Sequence, residues 1–157
     1  MASEGGFIAG KRSLIDYLVN KARSFIFSTA LSPATIAVAR KALEIVQIEP
    51  KRRDTLLANS AWFRAELRNA GLNVAGNEAP IISIVVGAPD LAVAFCNQLM
   101  ERNIFGSAFR PPTVPEGTSR LRISIMATHT REDLEQALNC IAEIGHELGV
   151  LRQGEEQ

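Results

Sequence analysis

The chain is poor in the residues from which self-contained catalytic and metal sites are most often built. It has two cysteines, Cys96 and Cys140, and two histidines, His129 and His146, in 157 residues. No pair of them has the short spacing of a zinc site, and the thiols lie far apart in sequence. The expectation is two buried free thiols in a reducing cytoplasm and no metal ion. Charge of one sign is also lacking, since 17 basic residues meet 17 acidic ones. Such a balance gathers neither nucleic acid nor an anionic membrane surface, and neither is expected as a partner. Long hydrophobic runs are missing too. No stretch reaches the roughly 18 consecutive apolar residues of a spanning helix, and the start, Met1-Ala2-Ser3-Glu4-Gly5-Gly6, has no basic region followed by an apolar one. There is no internal repeat and no low-complexity segment.

What remains is a chain with 46% hydrophobic residues, enough for one ordinary domain with a real core. Gly6-Phe7-Ile8-Ala9-Gly10 reads as a buried strand end between glycines, and Leu14, Ile15, Leu18 and Ala22 have helical spacing. Ser32-Pro33 reads as an N-cap with proline at the first helical position, opening a helix to about Ile48 that is apolar around much of its circumference. One strand and two such helices cannot close on themselves, so this part needs covering from outside.

Glu49-Pro50-Lys51-Arg52-Arg53-Asp54 breaks the pattern and is the candidate domain boundary. Beyond it the order is helix, strand, helix, strand, strand, helix. Leu56, Ser60, Phe63, Leu67 and Ala70 share a helical face that ends at Gly71, and Pro80 to Val86 is β-branched. Pro89 opens a helix, and a short strand is expected near Ile104 to Phe109. Leu121, Ile123 and Ile125 alternate with Arg120, Arg122 and Ser124, which puts the arginines on one sheet face and the apolar residues on the other. Thr130 and Asp133 have capping-box spacing before a helix whose stripe runs through Leu134, Leu138, Ile141, Ile144 and Leu148. The polar tail 152–157 is expected to fray.

The chemistry concentrates in two segments. In Arg110-Pro111-Pro112-Thr113-Val114-Pro115 the prolines fix φ and remove donors, so an extended, stiff crossing is expected, holding Thr113 in place. Gly117 then turns the chain into the strand that carries Arg122, whose guanidinium can hold a carboxylate through two parallel N–H···O bonds. The same pattern also suits a proline-rich surface loop followed by a strand with a solvated face. Ser28-Thr29, ahead of the helix at Pro33, suits either local capping or a phosphate cradle. His129 has no partner to complete a triad and reads as a capping or surface residue, His146 as solvated, and Trp62 and Phe63 as packing residues.

The run Arg110 to Ser124 with Ala127-Thr128-His129-Thr130, and Gly5 to Gly10 with Phe25-Ile26-Phe27-Ser28-Thr29, resembles the pyridoxal-phosphate (PLP) dependent α-oxoamine synthases. The Arg-Pro-Pro start is most similar to the biotin-pathway members. The resemblance implies an α/β fold of fold type I PLP-dependent transferases, present here in part. It is mainly the C-terminal α+β small domain, a short antiparallel sheet covered by helices. By this resemblance residues 1–48 are a remnant of the large PLP-binding domain and interdomain helix, and 49–151 the small domain. It implies that Arg122 grips the amino-acid carboxylate, that Thr113 contacts substrate, and that Ser28 and Thr29 reach the PLP phosphate across a homodimer. Complete enzymes condense an acyl-CoA thioester, pimeloyl-type in the biotin branch, with an amino acid, there L-alanine, and release carbon dioxide.

Lys11, Lys21, Lys41 and Lys51 all follow the Gly-Gly motif that the family's cofactor lysine precedes, so no catalytic residue is assigned in this chain. Two expectations stand side by side. One is part of a synthase that is inactive alone and completed by an N-terminal synthase chain, of the biotin branch or of a related glycine C-acetyltransferase or 5-aminolevulinate synthase type. The other is a non-catalytic dimerisation or small-carboxylate-binding module.

Overall fold

A computed structural model describes residues 3–76 and 78–151. The expectation for the 152–157 tail lies outside the described residues. The chain divides into two compact units, Met1–Pro50 and Lys51–Gln157.

In the first unit α1 spans Arg12–Lys21, α2 Arg23–Ile26 and α3 Pro33–Ile48. Ser32 caps α3 as its spacing predicts: the side-chain oxygen accepts from the Thr35 amide at 3.2 Å, and Pro33 fills the first turn, where its missing N–H costs nothing. The strand expected at Gly6–Gly10 does not form. Those residues are irregular and exposed, because a strand needs a partner ladder and the four-stranded sheet is built entirely from later residues. None of the described residues up to Pro50 is buried. Phe7, Phe25 and Phe27 are 72%, 64% and 78% exposed, and Ile36, Val38, Leu43, Val46 and Ile48 of α3 are exposed as well.

The second unit has its own core. The Glu49–Asp54 stretch interrupts the helices only at Glu49, because Pro50 already opens the 20-residue α4, Pro50–Asn69. Gly71 ends it in the left-handed region at φ +85°, and the Leu72 amide reaches back to the Leu67 carbonyl at 3.1 Å. There follow β1 (Val74–Ala75), β2 (Ile81–Gly87), α5 (Pro89–Glu101), β3 (Ser107–Phe109), β4 (Ser119–Ser124) and α6 (Arg131–Glu147). The sheet order is β1-β2-β4-β3, antiparallel throughout. The two-residue β1 escapes a sequence reading, since it carries no alternation long enough to count.

Phe63 and Leu67 of α4, Ile82 and Ile84 of β2, Phe95 and Leu99 of α5, Leu121 and Ile123 of β4, and Leu134, Ile141 and Ile144 of α6 form one buried cluster. All three helices therefore lie on one face of the sheet. Arg64 is buried beneath the loop before β2 and donates to the Ala79 carbonyl, and burial followed by the nearby charge of Arg68 pushes its pKa down. Cys96 and Cys140 are half-buried rather than fully enclosed, and burial pushes the Cys96 thiol up, away from the reactive thiolate. Among the described residues no helix is long and apolar enough to cross a membrane, and no three His, Cys, Asp or Glu cluster to hold a metal.

The capping box before α6 is complete: Thr130 accepts from the Asp133 amide at 3.1 Å, and Asp133 accepts from the Thr130 amide at 2.8 Å. The Thr130 amide, and after it the Thr130 hydroxyl, hydrogen-bond to the Asp133 carboxylate and hold it below its ordinary value of 3.8. A depressed folded pKa means that the cap stabilises above the unfolded value and is lost as pH falls through the folded one. Acid titration of Asp133→Asn, followed by circular dichroism, should lack the part of the loss of α6 helicity below about pH 4 that the wild-type chain shows. The first unit generates a second expectation. With Phe7, Phe25, Phe27 and much of α3 exposed, the isolated chain should sediment as an oligomer and bind a hydrophobic dye. A monodisperse, dye-silent monomer would overturn it.

Candidate carboxylate site on the open sheet face

The strand β4 sets the site. Leu121 and Ile123 point into the core, Arg120 is half-buried, and Arg122 and Ser124 are exposed, the alternation its sequence predicts. Two cross-strand rows run over the face turned away from the helices. Ser83, Arg122 and Ser107 form one, and Val85, Arg120 and Phe109 form the other. Arg122 is thus flanked on both sides by short hydroxyl residues, which leave its side chain room and could add donors to a bound oxygen. Neither serine stands out in sequence. Only the strand register puts them beside the arginine.

The two arginines of β4 are in different states. Arg120 donates its Nε–H to the Thr118 carbonyl at 3.0 Å and is committed to the loop. Arg122 lays its guanidinium over the Phe109 ring, with the central carbon 4.9 Å from the ring centre. None of the ion pairs among the described residues includes Arg122. This arginine is therefore a cation with its edge donors available, while Arg120 is a structural tie. Arg110, at the end of β3, is exposed.

The proline-rich segment is not the extended crossing expected of it. Thr113 donates its amide to the Arg110 carbonyl at 3.0 Å, and Thr118 donates its amide and hydroxyl to the Pro115 carbonyl at 3.2 and 2.7 Å. These bonds close two successive turns, the first containing the cis Pro111–Pro112 bond and the second carrying Gly117 at φ +71°. Prolines fix φ, but turn or crossing is decided by where the remaining amides find acceptors, and here these are three residues back. A Cβ on Gly87 would stand 3.7 Å from the Gly117 carbonyl, so the loop folds over the end of β2. Thr113 is exposed on this loop, on the connection between β3 and β4.

Ser28 and Thr29 belong to the first unit, Thr113 and Arg122 to the second. Ser28 donates its hydroxyl to the Ser24 carbonyl one turn earlier, so its proton is in local use, while Thr29 is exposed. His129 is part of the turn before α6. Its Nδ1 accepts from the Met126 amide at 3.3 Å, and its carbonyl accepts from Asn59 at 3.3 Å. It acts there as a turn residue. Two clefts of this unit, about 430 and 400 Å³, run along Asn103, Ile104, His129 and Asp133, and Arg122 lines neither.

The family model for aminotransferase class I and II matches residues 1–141. The 8-amino-7-oxononanoate synthase of Lysinibacillus sphaericus is 45% identical over 151 residues, covering 96% of this chain and 39% of that protein. The chain thus spans about two fifths of the length of the curated relatives it matches. The solved 8-amino-7-oxononanoate synthase of Francisella tularensis superposes with a TM-score of 0.71 at 29% identity, covering 87% of this chain and 40% of that one. A structure of SPT with PLP gives a TM-score of 0.80 at 22% identity, covering 89% of this chain and 36% of that one, and shares the fold. The fold is accordingly part of a PLP-dependent transferase. The match to the aminotransferase model extends from the first unit through the open sheet face and most of α6, and by it this chain belongs to the aminotransferase class I and II family.

Proposed function

We propose that this chain supplies the substrate-carboxylate grip of a PLP-dependent acyltransferase of the 8-amino-7-oxononanoate synthase type. In that reaction a pimeloyl-type acyl-CoA thioester condenses with L-alanine and carbon dioxide leaves. The observation that carries the reading is Arg122: an exposed, unpaired guanidinium, donor edge free, on a sheet face turned away from its own core. Two parallel N–H···O bonds from one guanidinium fix the plane of a carboxylate as well as its position. A carboxylate fixed in plane also fixes which bond of the amino acid's α-carbon stands where, and the choice of bond to break depends on that.

PLP, when bound, supplies the electron sink for the carbanion at that carbon. The residues present fit such a group in part. Thr29 presents an exposed hydroxyl suited to a phosphate oxygen, whereas Ser28 must release the Ser24 carbonyl before it can donate. Thr113, on the β3–β4 loop, is proposed to contact the substrate. In this reading residues 1–48 belong to the cofactor-binding domain, and the cofactor lysine lies on polypeptide outside these residues. The site is then shared across a homodimer or with a complementing synthase chain. An open sheet face excludes water only when another surface closes over it, and the exposed apolar residues of the first unit call for the same covering. A second reading, a self-contained carboxylate-binding module, is favoured by one observation: the buried core lies wholly within the second unit.

Titration of the chain with N-acetyl-L-alanine, followed by chemical shifts, tests the grip. Arg122→Ala should weaken binding about tenfold or more, as expected for loss of charge-assisted hydrogen bonds, and Arg122→Lys should fall between because it keeps charge without the fork. Equal affinity of wild type and Arg122→Ala would sink the reading. Mixing the chain with a polypeptide carrying the family's cofactor-binding part separates the two readings. Carbon dioxide release from L-alanine and pimeloyl-CoA, lost in Arg122→Ala, is the result the synthase reading expects.

A further inference from the structure

We infer that Phe109 is a positioning residue for the carboxylate grip, a flat plate that holds the Arg122 guanidinium in place while leaving its donor edge free. The inference rests on the carboxylate role proposed for Arg122. Phe109 is half-buried on β3, directly opposite Arg120 and therefore diagonal to Arg122, which is within reach of an aromatic side chain. The guanidinium carbon stands 4.9 Å from the ring centre, inside cation–π range.

The geometry makes the two uses of Arg122 compatible. A guanidinium is planar: an aromatic ring is met by its face, whereas all five N–H donors lie in its plane and leave through its edge. Contact through the guanidinium face, which the inference requires, takes no donor from a carboxylate. An acidic partner in the same place would occupy the edge and compete with the ligand. The residues directly opposite Arg122, Ser83 and Ser107, are too short to fix a long side chain by packing. Without the ring the arginine is a flexible stem on an exposed strand, and each ligand must order it anew. With it, the charge is held at one place on the face before the ligand arrives.

The test uses the full chain with arginine side chains labelled with ¹⁵N and N-acetyl-L-alanine as probe, its carboxamide analogue serving as the uncharged control. The Arg122 Nε–H resonance, identified by its absence in Arg122→Lys, should carry a ring-current shift in the wild-type chain. That shift should vanish in Phe109→Leu and Phe109→Met, which keep apolar bulk, and persist in Phe109→Tyr. Affinity for the probe should fall about two- to fivefold in the Leu and Met variants, the range of an exposed cation–π contact, and recover in Tyr. Wild-type affinity in both Leu and Met variants, or no ring-current shift in the wild-type chain, overturns the inference. An Arg122→Ala chain that binds the probe normally overturns the underlying carboxylate role instead, whatever the Phe109 variants do. A loss shared equally by Leu, Met and Tyr marks Phe109 as packing only and also overturns it.

Discussion

The second unit depends on the register of β4. Its inward residues, Leu121 and Ile123, are sealed against β2, α5 and the two flanking helices, so its outward residues have to be the arginines. A one-residue slip would turn Arg120 and Arg122 into a core that offers them no carboxylate, and would expose the leucine and isoleucine. That cost pins the strand. Because the strand is pinned, Arg122 lies between Ser83 and Ser107 and beside Phe109, and the candidate face is a by-product of burying the other one.

The legible parts of the fold were those in which one local rule acts over many residues. Ser32-Pro33, the Thr130–Asp133 box, Gly71 and the alternation of β4 each state their geometry in a few letters, and the elements they predict are present. The misread parts share a different property: their conformation is settled by partners far away in sequence or by choices among acceptors. Gly6–Gly10 has strand composition, yet a strand exists only where a neighbour offers a ladder. The Arg110–Pro115 prolines limit φ without deciding where the amides of Thr113 and Thr118 find acceptors, and they find them three residues back. In the candidate site, Arg122 was visible from alternation and resemblance, and Thr113 from its prolines. Ser83, Ser107 and Phe109 were not, because only cross-strand pairing puts residues of β2 and β3 next to one of β4.

Electrostatics separates the arginines of this unit by what they lack. Arg64 is buried, donates to the Ala79 carbonyl, and has its pKa pushed down by desolvation: it is held inside the fold. Arg102 bridges to Glu147 at 3.2 Å, and Arg131 joins Glu135 at 2.9 Å while lying over the Trp62 ring. Arg120 is tied to the Thr118 carbonyl. Arg122 alone of these five has neither a carboxylate nor a carbonyl, and stands on the face where the family resemblance expects a ligand. An exposed ion pair contributes little to stability, so leaving one arginine without a counter-charge costs the fold little while keeping it available.

The contrast between the two units bears on what the chain needs. In the second, apolar side chains fall in stripes that meet inside the unit, and substitution of one buried member such as Phe63 by alanine would cost roughly 3–5 kcal/mol. In the first, α3 is apolar around most of its circumference, and none of its residues is buried. Helices of this length gain most of their stability from packing an apolar face, and within its own unit α3 buries none of its residues fully. The match to the family model takes in this first unit as well as most of the second, while the relatives are about two and a half times as long. An apolar helix that lacks a core of its own is what a surface designed to be covered looks like. The open Arg122 face is its polar counterpart, a cation that its own unit leaves without a carboxylate.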